Sequence, residues 1–348
     1  MNSRYTREPA EFCAVGRSRN ERDIYYGYDV GDRLLYARFD SSAGEGVTQT
    51  YDAFGLMLTS NINMDGVSRT LSYEYDAGSR RTRITHPNGQ SYTYDFDDAG
   101  RLEGLYEGSA VTSTERLMGF TYTSRGLVDI RTEPGGTNVN HGYDAIGRLT
   151  SMAHTFAGTA GNVTLGFGYN PASQIERRTR NNDSYVWTGA YDVTRNYSVN
   201  GLNQYGRTTN ESGATVTAFT HDANGNLTVS DPAWASGVTT TYTYDIENRL
   251  VAARGGQTAD LRYDPLGRLF EVGTGTSARH FLYDGDALVA EYNDAGALAV
   301  RFVHGPNPGA DDPLVVWRRR EPDAAHRPSG LGDRHHLRQR HDPLDQRL

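Results

Sequence analysis

Residues 143–149 decide the fold of this chain, because they form a unit that recurs throughout the sequence: Tyr143-Asp144-Ala145-Ile146-Gly147-Arg148-Leu149. The unit is an aromatic ring, an aspartate, two variable residues, a glycine, an arginine and a leucine. Close copies are Tyr263-Asp264-Pro265-Leu266-Gly267-Arg268-Leu269 and Phe96-Asp97-Asp98-Ala99-Gly100-Arg101-Leu102. Looser copies begin at Tyr28, Tyr51, Tyr75, Tyr122, Tyr169, Tyr197, His221, Tyr244 and Tyr292. An irregular spacing of about two dozen residues predicts an array of hairpins with loops of variable length.

Each part of the unit has a mechanical role in a hairpin. Rings alternate with polar residues before the aspartate, as in Tyr92-Thr93-Tyr94, and a period of two places the rings on one face of a strand. The aspartate ends the strand, because its carboxylate can accept N–H groups of the following turn. The glycine supplies a positive φ without a Cβ clash. Leucine then starts the return strand with arginine facing outward, and rings of successive hairpins are expected to stack on one another. We predict that Asp144, Asp264, Gly147 and Gly267 act in folding and have no chemical role.

The composition favours a thin β-structure over a thick aliphatic core. Only 36% of the 348 residues are hydrophobic, while Gly numbers 39 and Tyr, at 23, outnumbers Phe, at 11. Tyrosine buries a ring and keeps a polar tip that needs water or a hydrogen-bond partner. Abundant glycine with few strong helix formers indicates strands joined by tight turns. The fold class predicted is all-β, with hardly any helix between residues 24 and 317.

Charge and cysteine content exclude several classes of protein. The formal net charge is -8, so no basic field is available and a nucleic-acid partner is not expected. Cys13 is the single cysteine, which excludes an intrachain disulfide. No apolar run suits a signal peptide or a membrane span. The sequence as written therefore predicts a cytoplasmic chain with no visible route of export.

The repeats resemble those of the YD-repeat or RHS (rearrangement hotspot) family, which includes bacterial polymorphic toxins, the B and C components of insecticidal toxin complexes, and teneurins. The resemblance covers roughly residues 24 to 317. It implies a β-sheet that spirals into part of a hollow shell around a toxin or effector cargo, with other shell components as partners and with secreted or cell-surface relatives. Further segments typical of the family are Tyr197-Ser198-Val199-Asn200-Gly201-Leu202-Asn203-Gln204-Tyr205, His221-Asp222-Ala223-Asn224-Gly225-Asn226-Leu227, Tyr244-Asp245-Ile246-Glu247-Asn248-Arg249-Leu250 and Phe281-Leu282-Tyr283-Asp284-Gly285-Asp286.

Three regions follow from the position of the repeats. Residues 1–23 lack the unit, residues 24–317 form the array, and residues 318–348 are an aberrant tail rich in Arg and His. The tail is expected to be disordered or frameshifted, and the chain to be a fragment of a larger shell. Strands near Tyr28 and Phe302 are expected to form open sheet edges that favour self-association.

Candidate catalytic and metal-binding patterns are better explained as structure. Asp264 and Pro265 match in letters one half of the aspartyl autoprotease signature of RHS proteins, but more repeats follow, so we interpret them as an ordinary repeat. The tail histidines could ligate a metal by type, yet no cysteine or ordered carboxylate set joins them. We therefore predict no catalytic, metal-binding or cofactor-binding residue, and a protein that is not an enzyme. These tail histidines are His335, His336 and His341.

Two functions fit the repeats. The first is a container, as part of the shell of a toxin-related protein. The second is a cell-surface array that binds carbohydrate or mediates adhesion through exposed rings and carboxylates. Rings packed between strands favour the container, and rings exposed in rows favour the binding array. A third possibility, suggested by the tail, is the non-functional product of a broken gene.

Overall fold

The computed structural model of the chain describes residues 22–133, 135–189, 192–233, 237–307 and 313–318. The expectations for residues 1–21, which include Cys13, and for residues 319–348, which include the tail histidines, lie outside the described residues. Among the described residues, no helix has the length and apolar character needed to cross a membrane.

The described chain is built from short β-strands, as the alternating aromatic pattern predicts. Apart from two single turns of 3-10 helix, Thr159–Gly161 and Asp183–Tyr185, the described residues form no helix. The prediction of an all-β fold is therefore confirmed. The strands are β1 (Ile24–Tyr28), β2 (Leu34–Phe39), β3 (Gly46–Tyr51), β4 (Met57–Met64), β5 (Val67–Tyr75), β6 (Arg81–Thr85), β7 (Ser91–Phe96), β8 (Leu102–Glu107), β9 (Arg116–Tyr122), β10 (Val128–Glu133), β11 (Thr137–Tyr143), β12 (Leu149–Thr155), β13 (Val163–Tyr169), β14 (Ile175–Arg180), β15 (Asn196–Val199), β16 (Tyr205–Thr209), β17 (Thr215–His221), β18 (Leu227–Pro232), β19 (Thr240–Tyr244), β20 (Leu250–Arg254), β21 (Thr258–Tyr263), β22 (Leu269–Gly273), β23 (Ala278–Asp284), β24 (Ala287–Asn293), β25 (Leu298–Val303) and β26 (Val315–Arg318).

Strands that follow one another in sequence are neighbours in a sheet. One sheet has 14 strands in the order β1 to β14, and a second has 12 strands in the order β15 to β26. In the unit that begins at Tyr143 the ring ends one strand and the leucine starts the next, so Tyr143 pairs with Leu149 across a local shift of register. The aspartate and the turn thus lie outside the ladder and are free to make other contacts.

The sheet edges differ from those expected from the sequence. Phe302 was expected near an edge, but β25 pairs with β26, where Phe302 lies opposite Val316. The repeats also continue in the sequence without a visible break where the first sheet ends at β14 and the second begins at β15. The edges of the two sheets are therefore β1 and β14 in one, and β15 and β26 in the other.

The chain divides into two compact units, each made of segments that are distant in sequence. The first unit comprises the residues up to Arg69 together with 191–283 and 290–299. Within it the hydroxyl of Tyr26 donates to the carbonyl of Pro265 at 3.4 Å, and Arg262 forms an ion pair with Asp65 at 2.7 Å. Its buried apolar side chains include Phe39, Val47, Ile62, Met64 and Phe270.

Among the described residues, the second unit comprises those within 70–190, 284–289, 300–307 and 313–318. Its contacts also join early and late repeats. The Tyr73 hydroxyl donates to Asp284 at 2.8 Å, and the Tyr94 hydroxyl donates to the carbonyl of His304 at 3.1 Å. The buried apolar side chains include Leu71, Ile84, Leu105, Val139, Val300 and Val303.

Candidate functional site

In the repeats that carry the aspartate, its side chain closes the turn. In the unit that begins at Tyr143, Oδ1 of Asp144 accepts the backbone N–H of Ile146 at 3.1 Å and of Arg148 at 2.9 Å. The backbone N–H of Asp144 also donates to the carbonyl of Arg148 at 3.0 Å. Gly147 adopts a φ of 91°, in the region that favours glycine. The carboxylate therefore satisfies turn N–H groups that no strand can reach.

The same geometry is found at the other predicted motif residues. The positive φ is 78° at Gly100, 92° at Gly225 and 80° at Gly267. The turn N–H four residues after each aspartate donates to its Oδ1, from Arg101 to Asp97 at 2.8 Å, from Asn226 to Asp222 at 2.9 Å, from Arg249 to Asp245 at 2.9 Å and from Arg268 to Asp264 at 3.0 Å.

The second carboxylate oxygen binds the arginine of the unit. Nε of Arg148 donates to Oδ2 of Asp144 at 2.7 Å. Hydrogen bonds from the side chain and then the backbone of Arg148 lower the pKa of the Asp144 carboxyl. At Asp222, where asparagine replaces arginine, the side-chain amide of Asn226 is the first cause of a similarly lowered pKa. The turns that Asp144 and Asp222 close thus favour the ionised form of these two carboxyls.

The arginine also reaches the ring of the next repeat. The guanidinium carbon of Arg148 lies 4.8 Å from the centroid of the Tyr169 ring, within the range of a cation-π contact. The hydroxyl of Tyr169 donates to the carbonyl of Leu149 at 2.7 Å. We call this arrangement the clasp: an aspartate, the arginine four residues later, and a tyrosine that covers this arginine and binds the carbonyl after it.

The clasp occurs in both units of the chain. Its members are joined by an ion pair, a guanidinium–ring contact and a hydroxyl–carbonyl bond in every case. The hydroxyl–carbonyl distances lie between 2.6 and 3.0 Å. The complete clasps are Asp29–Arg33–Tyr51, Asp97–Arg101–Tyr122, Asp144–Arg148–Tyr169, Asp245–Arg249–Tyr263 and Asp264–Arg268–Tyr283.

Two expectations about the repeat were wrong. Arginine does not simply face outward, since the Arg148 side chain is 28% exposed and lies between an aspartate and a ring. Among the described residues, no rings of successive repeats stack on one another either, and in the clasps a guanidinium covers one face of the ring. The close tyrosine pair between Tyr197 and Tyr205, with centroids 5.0 Å apart, lies within one hairpin.

The segment that resembles an autoprotease half-site forms an ordinary clasp. Asp264 is 1% exposed, and its Oδ2 accepts from Arg268 at 2.6 Å. Its Oδ1 accepts the N–H groups of Leu266 and Arg268, as in the other turns. Both oxygens are therefore engaged by the turn.

A polar cluster that the sequence analysis missed lies in the first unit. Asp65, Glu271 and His280 place ligand-type atoms within 4.8 Å of one another, as in a metal site. Arg262 donates to Asp65 at 2.7 and 2.8 Å and to Glu271 at 2.8 Å, so a guanidinium already supplies the cation. These hydrogen bonds are the first cause of a lowered pKa at Asp65. The cluster is an ion-pair network, and its residues are too far apart in sequence to be linked by a motif.

A buried polar cluster in the second unit was also missed. Asp284 accepts from the Tyr73 hydroxyl and forms an ion pair with Arg81. Burial, and then the charge of Asp284, raise the pKa of Tyr73. The segment around Asp284 stood out in the sequence, but nothing there identified the partners of the carboxylate.

Comparisons with known proteins give a family match and weak structural similarities. A search of the curated proteins finds no match. Solved structures that are similar include "Crystal Structure of TcdB2-TccC3-TEV" (12% identity, TM-score 0.38, covering 80% of this chain and 15% of that one). A second is "Crystal Structure of TcdB2-TccC3" (14% identity, TM-score 0.37, covering 78% of this chain and 16% of that one). A third is the Photorhabdus luminescens Tc holotoxin pore (12% identity, TM-score 0.37, covering 82% of this chain and 17% of that one). This chain thus spans less than a fifth of the length of each of these three chains.

The family model described as "RHS Repeat" matches residues 51–91. That segment holds the turn after Tyr51, the turn after Tyr75 and the strands between them. The same turn and the same clasp recur along both sheets. Residues 51–91 thus match the RHS, or YD, repeat, and the other repeats of the described chain share their turn geometry.

Proposed function

We propose that this chain forms part of the wall of an RHS-type shell and acts as structure rather than as an enzyme. The observation that carries the proposal is the clasp, in which the aspartate, the arginine and the tyrosine hydroxyl of the repeat all bind neighbouring protein groups. Such residues are common in active sites, but here each is used to join one hairpin to the next. One isolated hairpin is marginal in water, so contacts between neighbours must stabilise the array.

The cargo is proposed from the family resemblance. A shell built of such repeats would enclose a toxin or effector polypeptide, with other shell components completing the enclosure. The composition of the wall suits this role, because the hydroxyls and carboxylates of the clasp are satisfied within the sheet. They are then not available to trap an unfolded polypeptide by hydrogen bonding.

The carbohydrate-binding alternative predicts a different use of the rings. Sugar-binding aromatic side chains present an open face to the ligand. In the clasp one face of the ring is covered by a guanidinium, as at Tyr122, where the distance is 4.3 Å, and the hydroxyl is bonded to the preceding unit. These contacts favour a function as part of a shell wall over a function in carbohydrate binding. A glycan array provides the check, and saturable binding that disappears on Tyr122→Ala in a folded variant would support the alternative.

The cargo proposal is tested with a reporter peptide. The full chain is extended at its C-terminus by a disordered, fluorescent peptide that contains a site for a sequence-specific protease. The control is the same peptide fused to an unrelated compact domain. We expect cleavage of the reporter to be slower on this chain, because even part of a wall restricts the approach of the protease to the peptide, although other shell components are needed to complete the enclosure. Equal cleavage rates would show that this part of the wall does not shield the peptide.

A further inference from the structure

Arg301 is a buried arginine that no carboxylate neutralises among the described residues. It lies in β25 within the second unit and is 5% exposed. Its guanidinium donates to Oδ1 of Asn88 at 2.9 Å and to the hydroxyl of Tyr92 at 3.4 Å. Its Nε is buried without an acceptor. A full positive charge is therefore held inside the protein by two neutral groups.

Other arginines of the described chain that are buried, or largely buried, have a partner for their charge. Arg81 is paired with Asp284, Arg268 with Asp264, and the guanidinium of Arg69 lies 4.3 Å from the centre of the Tyr292 ring. The ring nearest to Arg301, that of Tyr92, is 5.9 Å away, at the limit of a useful cation-π contact. Burying a charge without a partner is costly, so a protein normally supplies a counter-charge at such a position.

The groups around Arg301 are donors that remain neutral. His86 is 3% exposed, and its Nδ1 is buried without a partner. Burial, and then the charge of Arg301, lower the pKa of His86 to about 3, so the ring is neutral at pH 7 and carries one N–H. Burial raises the pKa of Tyr92, which keeps its hydroxyl proton. Glu107 is the nearby acid, but it accepts from Gln90 at 3.2 Å and makes no ion pair with Arg301.

The turn between β6 and β7 connects this cluster with solvent. The N–H of His86 donates to the carbonyl of Gln90 at 2.8 Å and closes the turn. Asn88, at its tip, is exposed, and yet its side chain touches the buried guanidinium. A small movement of this side chain would open the Arg301 guanidinium to water without breaking a strand pairing.

We propose that Arg301, with Asn88, Tyr92 and His86 as further donors, binds a small oxyanion of the carboxylate or phosphate type beneath the turn of residues 86–90. A guanidinium presents paired N–H donors that suit such anions. The amide of Asn88 and the hydroxyl of Tyr92 can turn toward an anion once it replaces their present contact with Arg301. The inference is independent of the proposed shell function, since it concerns a charge that the repeat does not explain.

The test is thermal unfolding of the full chain at pH 7 in sodium phosphate, sodium acetate or sodium chloride at equal ionic strength. A bound ligand stabilises the folded state in a saturable manner, whereas general salt effects grow steadily with concentration. We expect a Tm rise that saturates in the millimolar range with phosphate, acetate or both, relative to chloride. Comparison of the phosphate series with the acetate series distinguishes binding of a tetrahedral anion from binding of a carboxylate.

Variants assign the effect to the proposed site. Arg301→Gln should abolish the saturable rise, and Asn88→Ala should weaken apparent binding several-fold while leaving the strands intact. Arg177→Gln is the matched control, because Arg177 is exposed in β14 of the same unit, and it should behave like the parent chain. If Arg301→Gln fails to fold, Asn88→Ala and calorimetric titration of the parent with phosphate and acetate decide the matter. No saturable binding by the parent, or binding unchanged in Asn88→Ala or Arg301→Gln, would overturn the proposal.

Discussion

The guanidinium of Arg148 lies 4.8 Å from the ring centre of Tyr169, and the hydroxyl of this ring binds the carbonyl of Leu149 at 2.7 Å. One tyrosine thus contacts both the side chain and the backbone of the preceding repeat. Because Arg148 is also bonded to Asp144, the turn that makes one hairpin is connected directly to the ring of the next. Local turn chemistry and packing between repeats therefore depend on the same arginine.

Removal of this arginine should destabilise the array. We expect Arg148→Ala to lower the free energy of unfolding by about 1–2 kcal/mol, since a guanidinium–ring contact and a partly exposed ion pair are lost together. Urea denaturation followed by tyrosine fluorescence measures the change. Arg177→Ala, at an exposed position of β14, is the control and should stay within about 0.5 kcal/mol of the parent. Equal losses in the two variants would show that the clasp adds nothing.

Gly147 should not tolerate a side chain because of its backbone conformation. Its φ is 91°, while the nearest atom to an added Cβ would be Cδ1 of Leu127 at 3.6 Å, an ordinary contact. Gly147→Val should therefore cost roughly 1–3 kcal/mol through backbone strain alone. Gly158, with a φ of -109° and open space around a Cβ, gives the matched control. Thermal unfolding of both valine variants makes the comparison, and similar Tm values would contradict the assignment.

The repeats contain a second version of the turn that predicts a coupled substitution. In two units asparagine replaces the aspartate and glutamine replaces the arginine, and Nδ2 of Asn170 donates to Oε1 of Gln174 at 2.9 Å, as Nδ2 of Asn200 does to Oε1 of Gln204 at 2.6 Å. Asp144→Asn or Arg148→Gln alone leaves one unmatched partner, whereas the double variant can form the amide pair. We expect the double variant to be more stable than the sum of the two losses, with a coupling of about 0.5–1 kcal/mol. It should remain below the parent, because the contact with Tyr169 is lost. Strict additivity in the double-mutant cycle would show that an asparagine–glutamine pair does not replace the aspartate–arginine pair at this turn.

Acid should destabilise the chain in two stages. The unfolded pKa of histidine is about 6.5, and the folded pKa of His86 is about 3. The unfolded state therefore binds the proton first, and stability is lost as the pH falls from about 6.5, by up to about 1.4 kcal/mol per pH unit. The pKa values of Asp76, Asp97, Asp144 and Asp222 are also lowered, so the contribution of these four carboxylates is present above about pH 3.9 and is lost below it. Urea unfolding between pH 3 and 7 should show both stages, and His86→Phe should reduce the upper one, to which His154 also contributes because burial lowers its pKa. A parent curve that is flat from pH 6.5 to 4.5 would disagree.

The sequence predicts the hairpins well because their determinants are local. Asp144, Gly147 and Leu149 lie within one turn, and their chemistry fixes where the strands end. The contacts of Arg148 with a ring 21 positions later, by the residue numbers, depend on how the next hairpin twists, and the unit alone does not contain this information. Contacts such as Tyr73 with Asp284, 211 positions apart, depend on how whole segments of sheet meet. The same holds for Arg301, which has no repeat partner and looks in the sequence like any strand arginine.

The open sheet edges should cause self-association at β14. This strand ends the 14-stranded sheet, all six of its residues are exposed, and Ile175 is 59% exposed. An edge strand with unpaired N–H and C=O groups favours pairing with another chain, and a charge on such a strand opposes it. Light scattering at micromolar concentration should show particles larger than a monomer, with Ile175→Lys shifting the distribution toward monomer. Ile146→Lys is the control, because Ile146 is 72% exposed but lies in a turn and should leave association unchanged. A monodisperse monomer for the parent chain, or equal effects of the two lysines, would show that this edge is not an association site.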